Sequence, residues 1–173
     1  KDNKDTNELY YAIGGLQNMM FDSFAFFATN QNSFRRFEPD IFVPVNTSWG
    51  HNNRSVAFRI PVSEKNGKRI EHRVAGAEAN AYLVLASILS GIEDGLVNKL
   101  KASDPREDNA CVDPDPRMPE NIDEALKNLE SSNLMKKYLT EEYINIFVEL
   151  KRKEQNSFRA EISDVEYKWY LNL

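Results

Sequence analysis

Cysteine is almost absent from this chain of 173 residues, since Cys111 is the only one. A single thiol cannot form an intramolecular disulfide, and no other cysteine or histidine lies nearby in the sequence to complete a metal site. Cys111 is therefore predicted to be an incidental thiol in a polar, proline-rich segment. Histidine is also scarce, and the spacing of His51 and His72 matches no common short metal motif, which predicts structural or solvent-facing roles for both.

The chain also lacks a cationic excess and a long apolar run. Its net charge is -5 and it has no long basic block, which argues against nucleic acid as the main partner. No run approaches the roughly 18 apolar residues that a membrane span needs, and the charged start is no signal peptide, so we predict a cytoplasmic protein without membrane contact. The hydrophobic share of 41% suffices for the core of one globular domain.

The sequence does contain a concentration of arginines in two neighbouring extended segments, residues 53–61 and 69–74. In the second segment Arg69, Glu71 and Arg73 alternate with other residues, so a strand would place all three charged groups on one face. That row would be about 13 Å long at roughly 3.3 Å per residue, enough to line an extended anionic ligand. The alternative is a solvated sheet face with alternating ion pairs.

Function explains this pattern better than stability does, because removing an ion from water is costly unless partners compensate for the lost hydration. Arginine presents a planar fork of donors that suits phosphates and carboxylates. A carboxylate held among arginines stays ionised and can bind a hard divalent cation. The two segments together predict a site for a nucleotide, a metal ion and an acidic substrate.

The dipeptide Asn66-Gly67 lies between the two segments and is a strong hairpin signal. A two-residue turn there would pair Ile60 with Arg73 and would turn Arg59 away from the charged row. If one ligand contacts all of these groups, we expect a three-residue loop, or a bulge near the end of the first strand, that returns Arg59 to the shared face.

Apolar periodicity predicts helices on both sides of these strands. Residues 7–30 carry an apolar helical stripe whose aromatic members pack in a core, and residues 76–100 are apolar around most of the circumference, which predicts a buried central helix. Residues 41–45 and 55–62 favour strands, whereas the four prolines in the segment 105–119 indicate a long exposed loop.

Three capping signals predict the starts of further helices, at Asn121, Thr140 and Ser163. The chain thus runs from helix through strands to several helices. This order predicts an α+β fold in which helices cover one side of an antiparallel sheet.

Several segments, in the right order, resemble motifs of the glutamine synthetase family. They are residues 32–36 (Asn-Ser-Phe-Arg-Arg), the two arginine segments, the Ala-x-Ala-Asn-x-Tyr-Leu run that ends at Leu83, and the terminal residues 166–170. The resemblance covers about residues 9–173 and implies that residues 1–173 are the C-terminal portion of a glutamine-synthetase-like catalytic domain. The family's N-terminal domain and the first half of its catalytic domain have no counterpart here.

The resemblance further implies that this fragment alone is catalytically inactive and that the full-length protein is a ring-shaped homo-oligomer with active sites between subunits. Residues 42–50 and 73–77 are most similar to the branch of the family that joins glutamate to polyamines, the gamma-glutamylputrescine synthetases. Members of the family use ATP with Mg²⁺ or Mn²⁺ to convert the side-chain carboxylate of glutamate into gamma-glutamyl phosphate, which an amine then attacks.

By motif position the resemblance assigns roles to the charged residues. Glu71 is the expected metal ligand, Arg54 and Arg59 are the expected phosphate-contacting and catalytic residues, and Arg69 is an expected nucleotide contact. Arg36 and Arg73 are the expected clamps on the substrate glutamate. The structural alternative for each arginine is an ion pair with a nearby acid, for which Glu38 and Glu78 are candidates.

Phe42 departs from the pattern of the ammonia-using relatives, which carry a glutamate six residues after the arginine that matches Arg36. A phenylalanine cannot attract ammonium, but it offers an apolar wall for the methylenes of a larger amine. Phe42 is therefore predicted to line an amine pocket. Two alternatives stay open: Glu38 supplies a shifted acid, or Phe42 packs beneath a strand.

These observations leave three functional hypotheses. The first is part of an ATP-dependent ligase that joins glutamate to a polyamine or alkylamine. The second is an ammonia-dependent glutamine synthetase. The third is a non-catalytic module of the same fold that serves assembly.

Overall fold

The computed structural model describes residues 5–38, 41–63 and 67–171. Within these ranges the chain forms three short strands and a larger number of helices. The strands are β1 (Trp49–His51), β2 (Phe58–Ile60) and β3 (Glu71–His72). The α-helices are α1 (Asn7–Met19), α2 (Phe24–Phe27), α3 (Gln31–Phe34), α4 (Ala81–Asn98), α5 (Ile122–Ser131), α6 (Asn133–Leu139), α7 (Glu141–Ala160) and α8 (Asp164–Tyr170), with one 3₁₀ turn at Ala110–Val112.

The strands form one sheet in the order β1-β2-β3, and helices pack beside it, which confirms the α+β class. The sheet is mixed, however: β2 and β3 are antiparallel as expected, but β1 runs parallel to β2. The loop between β1 and β2 explains this difference. Asn53 closes the loop, because its side-chain oxygen accepts hydrogen bonds from the backbone N–H and the hydroxyl of Ser55, and the chain then returns alongside β1 in the same direction.

The register between β2 and β3 places Arg59 directly opposite Glu71, and Phe58 opposite His72. Residues that face each other across an antiparallel pair point to the same side of the sheet. Arg59 therefore shares a face with Glu71, and the pairing of Ile60 with Arg73 that a two-residue turn would impose is excluded. Of the predicted turn itself, Asn66 lies outside the described residues.

The strand predicted at residues 41–45 is wrong. These residues form a turn followed by irregular backbone, and Phe42 has a φ of 57°, in the left-handed region that a strand residue cannot adopt. The strand β1 was not expected from the sequence. It is fixed by Trp49, which is 2% exposed and donates its indole N–H to the carbonyl of Ser103 at 2.7 Å.

The helix expected over residues 76–100 is shorter and less buried than predicted. α4 packs on α1 through small residues, so that Gly91 and Gly95 are buried, whereas the large side chains of Tyr82, Leu85 and Leu89 are 86%, 54% and 55% exposed. The prediction of a buried central helix is therefore wrong, because close contact between two helix backbones selects small residues and leaves large ones outside. By length and composition alone α4 is also apolar enough to cross a membrane, so the expectation that no segment approaches that length is wrong.

The core lies between α2, α5 and the sheet, and the aromatic residues of the first predicted helix fill it. That prediction is confirmed for the packing, although the segment 7–30 is divided into two helices, α1 and α2. All three predicted helix caps are present: the side chains of Asn121, Thr140 and Ser163 each accept a backbone N–H of the helix that follows. One face of β2 packs on the core through Phe58 and Ile60, and the charged groups of β2 and β3 lie on the opposite, outer face.

Candidate functional site

A carboxylate between two guanidinium groups lies on the face shared by β2 and β3. The Nε and Nη2 of Arg59 contact the Oε2 of Glu71 at 2.7 and 2.6 Å. The Nε of Arg73 lies 3.9 Å from Glu71 Oε1. The side chain of Glu71 is 38% exposed, so this charged cluster borders solvent and is accessible to a ligand.

Arg73 also connects two other segments of the chain through three backbone carbonyls. Its guanidinium donates to the carbonyls of Arg54, of Val56 at 2.9 Å and of Phe42 at 3.2 Å. Burial lowers the pKa of Arg73, and Glu71 opposes that shift. Most of its donors are therefore engaged within the chain itself, so its expected role as a clamp on glutamate stays a prediction, while its role in organising the site follows from the contacts.

Phe42 sits on the turn that Arg73 holds. Its side chain is 56% exposed, which makes the alternative that it packs beneath a strand wrong. A bulky residue in the left-handed region is strained by about 1 kcal/mol or more, and such strain is concentrated at functional sites. The exposed ring is available as an apolar wall, and its predicted role toward an amine stays a prediction.

Arg36 reaches the chain just after β3, where it donates to the carbonyl of Val74. Its guanidinium lies 4.4 Å from the centre of the Phe37 ring, and its charge interacts with that of Glu78. Glu78 in turn accepts the hydroxyl of Ser33 at 2.5 Å. Glu78, which was considered as a structural partner of the arginines, thus lies close enough to Arg36 for their charges to interact. The Nε of Arg36 is nevertheless buried without a hydrogen-bond partner among the described residues.

The structure brings the predicted residues together unequally. Arg54 is exposed, and its positive charge acts on Arg73 together with that of Arg59. Arg69 precedes β3, is exposed and donates to the carbonyl of Gly67 at 3.2 Å. The cluster therefore consists of Arg54, Arg59, Glu71 and Arg73. Arg69 lies just before β3 in the chain, and Arg36 contacts the backbone just after β3.

The described residues contain no group of three or more histidine, cysteine, aspartate or glutamate side chains placed to hold a metal ion. Glu71 offers one carboxylate, and Arg59 already contacts it. A hard divalent cation requires several oxygen ligands. The part of the chain that the structure describes therefore does not form a metal site by itself, and Glu71 can supply only one carboxylate to such a site.

Cys111 lies inside the structure, although the proline-rich segment that carries it was expected to form an exposed loop. It is fully buried, and its sulfur lies 3.4 Å from the carbonyl oxygen of Val43 and 3.5 Å from that of Ser55. These two carbonyls belong to the same two segments that Arg73 connects. The proline-rich loop is thus docked beneath the site rather than free of it. No sequence signal marks this contact, since backbone carbonyls are common to all residues.

His72 faces the core on the other side of β3, with its ring centre 4.6 Å from that of Phe27 and 5.5 Å from that of Phe58. Burial, assisted by the charge of Arg36, lowers the pKa of His72 from 6.5 to about 4. The neutral form is therefore required in the folded state, whereas the unfolded chain takes up a proton below about pH 6.5.

We expect this histidine to make the protein less stable in acid. The contribution of neutral His72 to the free energy of unfolding is complete above pH 6.5 and is lost as the pH falls toward 4. In that range the unfolded state binds one more proton than the folded state. Between about pH 7.5 and pH 5 the free energy of unfolding should fall by up to about 2 kcal/mol from this residue. Urea unfolding of the wild type and of His72→Phe at both pH values measures the difference. An identical pH dependence in the two proteins would contradict the prediction.

Comparison with known proteins identifies the family. The family model described as "Glutamine synthetase, catalytic domain" matches residues 1–170. The gamma-glutamylputrescine synthetase of Escherichia coli is 38% identical over 168 residues, which is 97% of this chain and 36% of that protein. The gamma-glutamylethanolamide synthetase of Streptomyces coelicolor is 31% identical over 140 residues, covering 81% of this chain and 30% of that protein.

A glutamine synthetase of Methanococcus maripaludis is 33% identical over 150 residues, 82% of this chain and 34% of that protein. The chain therefore spans about a third of the length of the curated relatives it matches. The solved structure of GmaS without ligand has the same fold, with a TM-score of 0.83 at 22% identity over 100% of this chain and 40% of that one. The chain belongs to the glutamine synthetase family, within its catalytic domain.

Proposed function

We propose that this chain is part of an ATP-dependent ligase that joins the gamma-carboxylate of glutamate to an amine. The observation that carries the proposal is the charged cluster on β2 and β3, where Arg59 and Arg73 flank Glu71 at an accessible face and the charge of Arg54 acts on Arg73. A surface built only for stability gains little from such an arrangement, because exposed ion pairs contribute at most about 1 kcal/mol each.

The proposed reaction requires positive charge at the place where a phosphoryl group is transferred. Phosphoryl transfer depends mainly on positioning and on neutralising the charge of the transferred group. Arg54 is exposed, and the side chain of Arg59 is 22% exposed beside Glu71, so both guanidinium groups are accessible to phosphate oxygens. A divalent metal ion bound to the nucleotide supplies further neutralisation, and Glu71 would contribute one of its ligands.

The remaining arginines fit the binding of glutamate. The Nε of Arg36 is buried without a hydrogen-bond partner among the described residues, and its guanidinium rests on Phe37. A carboxylate is the group that such a cation would bind. Arg73 lies beside Glu71 and orders the turn of Phe42. In this proposal Arg36 binds the substrate carboxylate, while Arg73 holds the backbone against which the substrate lies.

The proposed acceptor is a polyamine or an alkylamine rather than ammonia. The exposed ring of Phe42 supports an apolar acceptor, and the names of two relatives, the putrescine and ethanolamide synthetases, point in the same direction. Several relatives are named glutamine synthetase, which keeps ammonia as the second candidate.

The test measures phosphate release from ATP by the protein at its natural length, with glutamate and one amine at a time. Putrescine, spermidine, ethanolamine, a monoamine and ammonium are compared in parallel. We expect release to depend on glutamate and to be fastest with an alkylamine. Preference for ammonium would overturn the assignment of the acceptor. Absence of release with every amine, in a protein shown to be folded, would favour the non-catalytic assembly module instead.

A further inference from the structure

A cavity of about 300 Å³ lies between the segment that follows α3 and the proline-rich loop, apart from the charged cluster on β2 and β3. Its walls are formed by Phe34, Phe37, Val45 and Met118, together with three prolines of the loop. This volume is at the lower end of the range found for small-molecule sites. The apolar walls fit a short aliphatic chain, because such a chain gains free energy when it leaves water.

The charged groups of the cavity have one sign. Among the described residues that line it, Asp115 and Glu120 are acidic and none is basic. Asp115 is already paired with Arg117, whose Nη2 lies 2.7 Å from its carboxylate. Glu120 forms no ion pair with the described residues, and its exposed side chain lies at the rim. The cavity therefore combines an apolar interior with a negative charge at its edge that no described residue pairs.

One wall of the cavity is shared with the candidate active site. The ring of Phe37 lines the cavity, and the guanidinium of Arg36 lies 4.4 Å from the centre of the same ring. Phe37 is held in place by Phe24, at 5.0 Å between ring centres, and by Phe34 at 6.3 Å. A ligand in the cavity would therefore lie against the platform that supports Arg36.

We propose that this cavity binds the aliphatic part of an alkylammonium cation, with Glu120 as its counter-charge, and that it receives the chain of the acceptor amine. Apolar contact with Phe34, Phe37 and Met118 holds the methylenes, and the carboxylate attracts the ammonium group at the end remote from the reaction. The assignment of the cavity to the acceptor amine rests on the proposed ligase function, whereas the binding of an alkylammonium cation does not. The cavity would then select amines by the length of their chain, a property that ammonium lacks.

Binding is tested first without turnover, with butyltrimethylammonium as the probe. Its nitrogen carries no hydrogen and cannot be acylated, so that titration calorimetry reports binding alone. We expect Glu120→Gln to weaken binding about threefold or more and Met118→Ala to weaken it at least about fivefold. Glu107→Gln is the matched control, because Glu107 is an exposed acid on the same loop that does not line the cavity.

Met118 is partly buried against the core, so Met118→Leu is included as a variant that keeps the volume of the side chain. Glu120 is exposed, and its replacement leaves the fold intact. No binding of the probe, or equal affinity in the wild type, Glu120→Gln and Met118→Ala, overturns the proposal.

Steady-state kinetics of the protein at its natural length then separate this inference from the proposed function. We expect Glu120→Gln to raise KM for putrescine while KM for glutamate and activity with ammonium stay unchanged. If putrescine is used and its KM does not respond to either variant, the cavity is not the acceptor site, and the ligase function stands. If the probe binds with the expected sensitivity but no amine supports phosphate release, the ligase function fails, and the cavity remains a cation site.

Discussion

Replacement of Gly15 by alanine is expected to destabilise the protein by about 3 kcal/mol or more, a large fraction of the stability of an ordinary domain. A Cβ atom at Gly15 would lie 1.9 Å from the carbonyl oxygen of Gly91 and 2.7 Å from the Cα of Gly95. Both atoms belong to the backbone of α4, so no side chain can move aside to make room. α1 and α4 would have to separate, and the tightly packed interior does not allow this without loss of other contacts.

The matched control is Gly91→Ala on the facing helix. A Cβ at Gly91 would lie 3.4 Å from its nearest neighbours, which is ordinary van der Waals contact. Alanine also favours a helix over glycine by about 1 kcal/mol. We therefore expect Gly91→Ala to be as stable as the wild type or slightly more stable. Urea unfolding, followed by circular dichroism, compares the two variants, and equal stability of Gly15→Ala and Gly91→Ala would refute the close approach of the helices.

The same contact shows where sequence reasoning about α4 succeeded and where it failed. Periodicity predicted a helix there, because apolar residues recur around it, and the helix is present at Ala81–Asn98. Periodicity could not show which side faces α1. The contact depends on small residues such as Gly91 and Gly95, which carry little hydrophobic signal, whereas the conspicuous Tyr82 and Leu85 are exposed.

The strand predicted at residues 41–45 failed for a different physical reason. An apolar run with β-branched residues favours extended backbone locally. Tertiary contacts override this preference, since the carbonyl of Phe42 accepts from Arg73 and the carbonyl of Val43 faces the sulfur of Cys111. Arg73 and Cys111 lie far along the chain, and no local pattern could reveal them.

The candidate site was foreseen in part. Alternation along residues 69–74 correctly put Glu71 and Arg73 on one face. Arg59 joins them because the loop does not impose the two-residue hairpin register, as the sequence required for a shared ligand. The backbone contacts of Arg73 were not foreseen, because any carbonyl can accept a hydrogen bond and no residue type marks the acceptor. The roles of the individual arginines came from motif order within the family, and they remain predictions.

Replacement of Glu71 by alanine is expected to lower glutamate- and ATP-dependent phosphate release by about 100-fold or more in the protein at its natural length. The loss follows from two changes to the charged cluster. The carboxylate that contacts Arg59 at 2.6 Å disappears, so that Arg59 and Arg73 are no longer held around a common group. A proposed ligand for the divalent cation is lost as well, and nucleotide affinity in the presence of Mg²⁺ should fall, whereas affinity in its absence should change less.

The control for this variant is Glu130→Ala, which removes a carboxylate that contacts Arg152 at 2.6 Å far from the cluster. Both acids are about 40% exposed, at 38% and 41%, so each ion pair is expected to contribute no more than about 1 kcal/mol to folding. Thermal unfolding should therefore be similar for the two variants, and only Glu71→Ala should lose activity. If Glu71→Ala retains activity and Mg²⁺-dependent nucleotide affinity, Glu71 is merely half of a surface ion pair, and the alternating charges on β3 belong to a solvated sheet face.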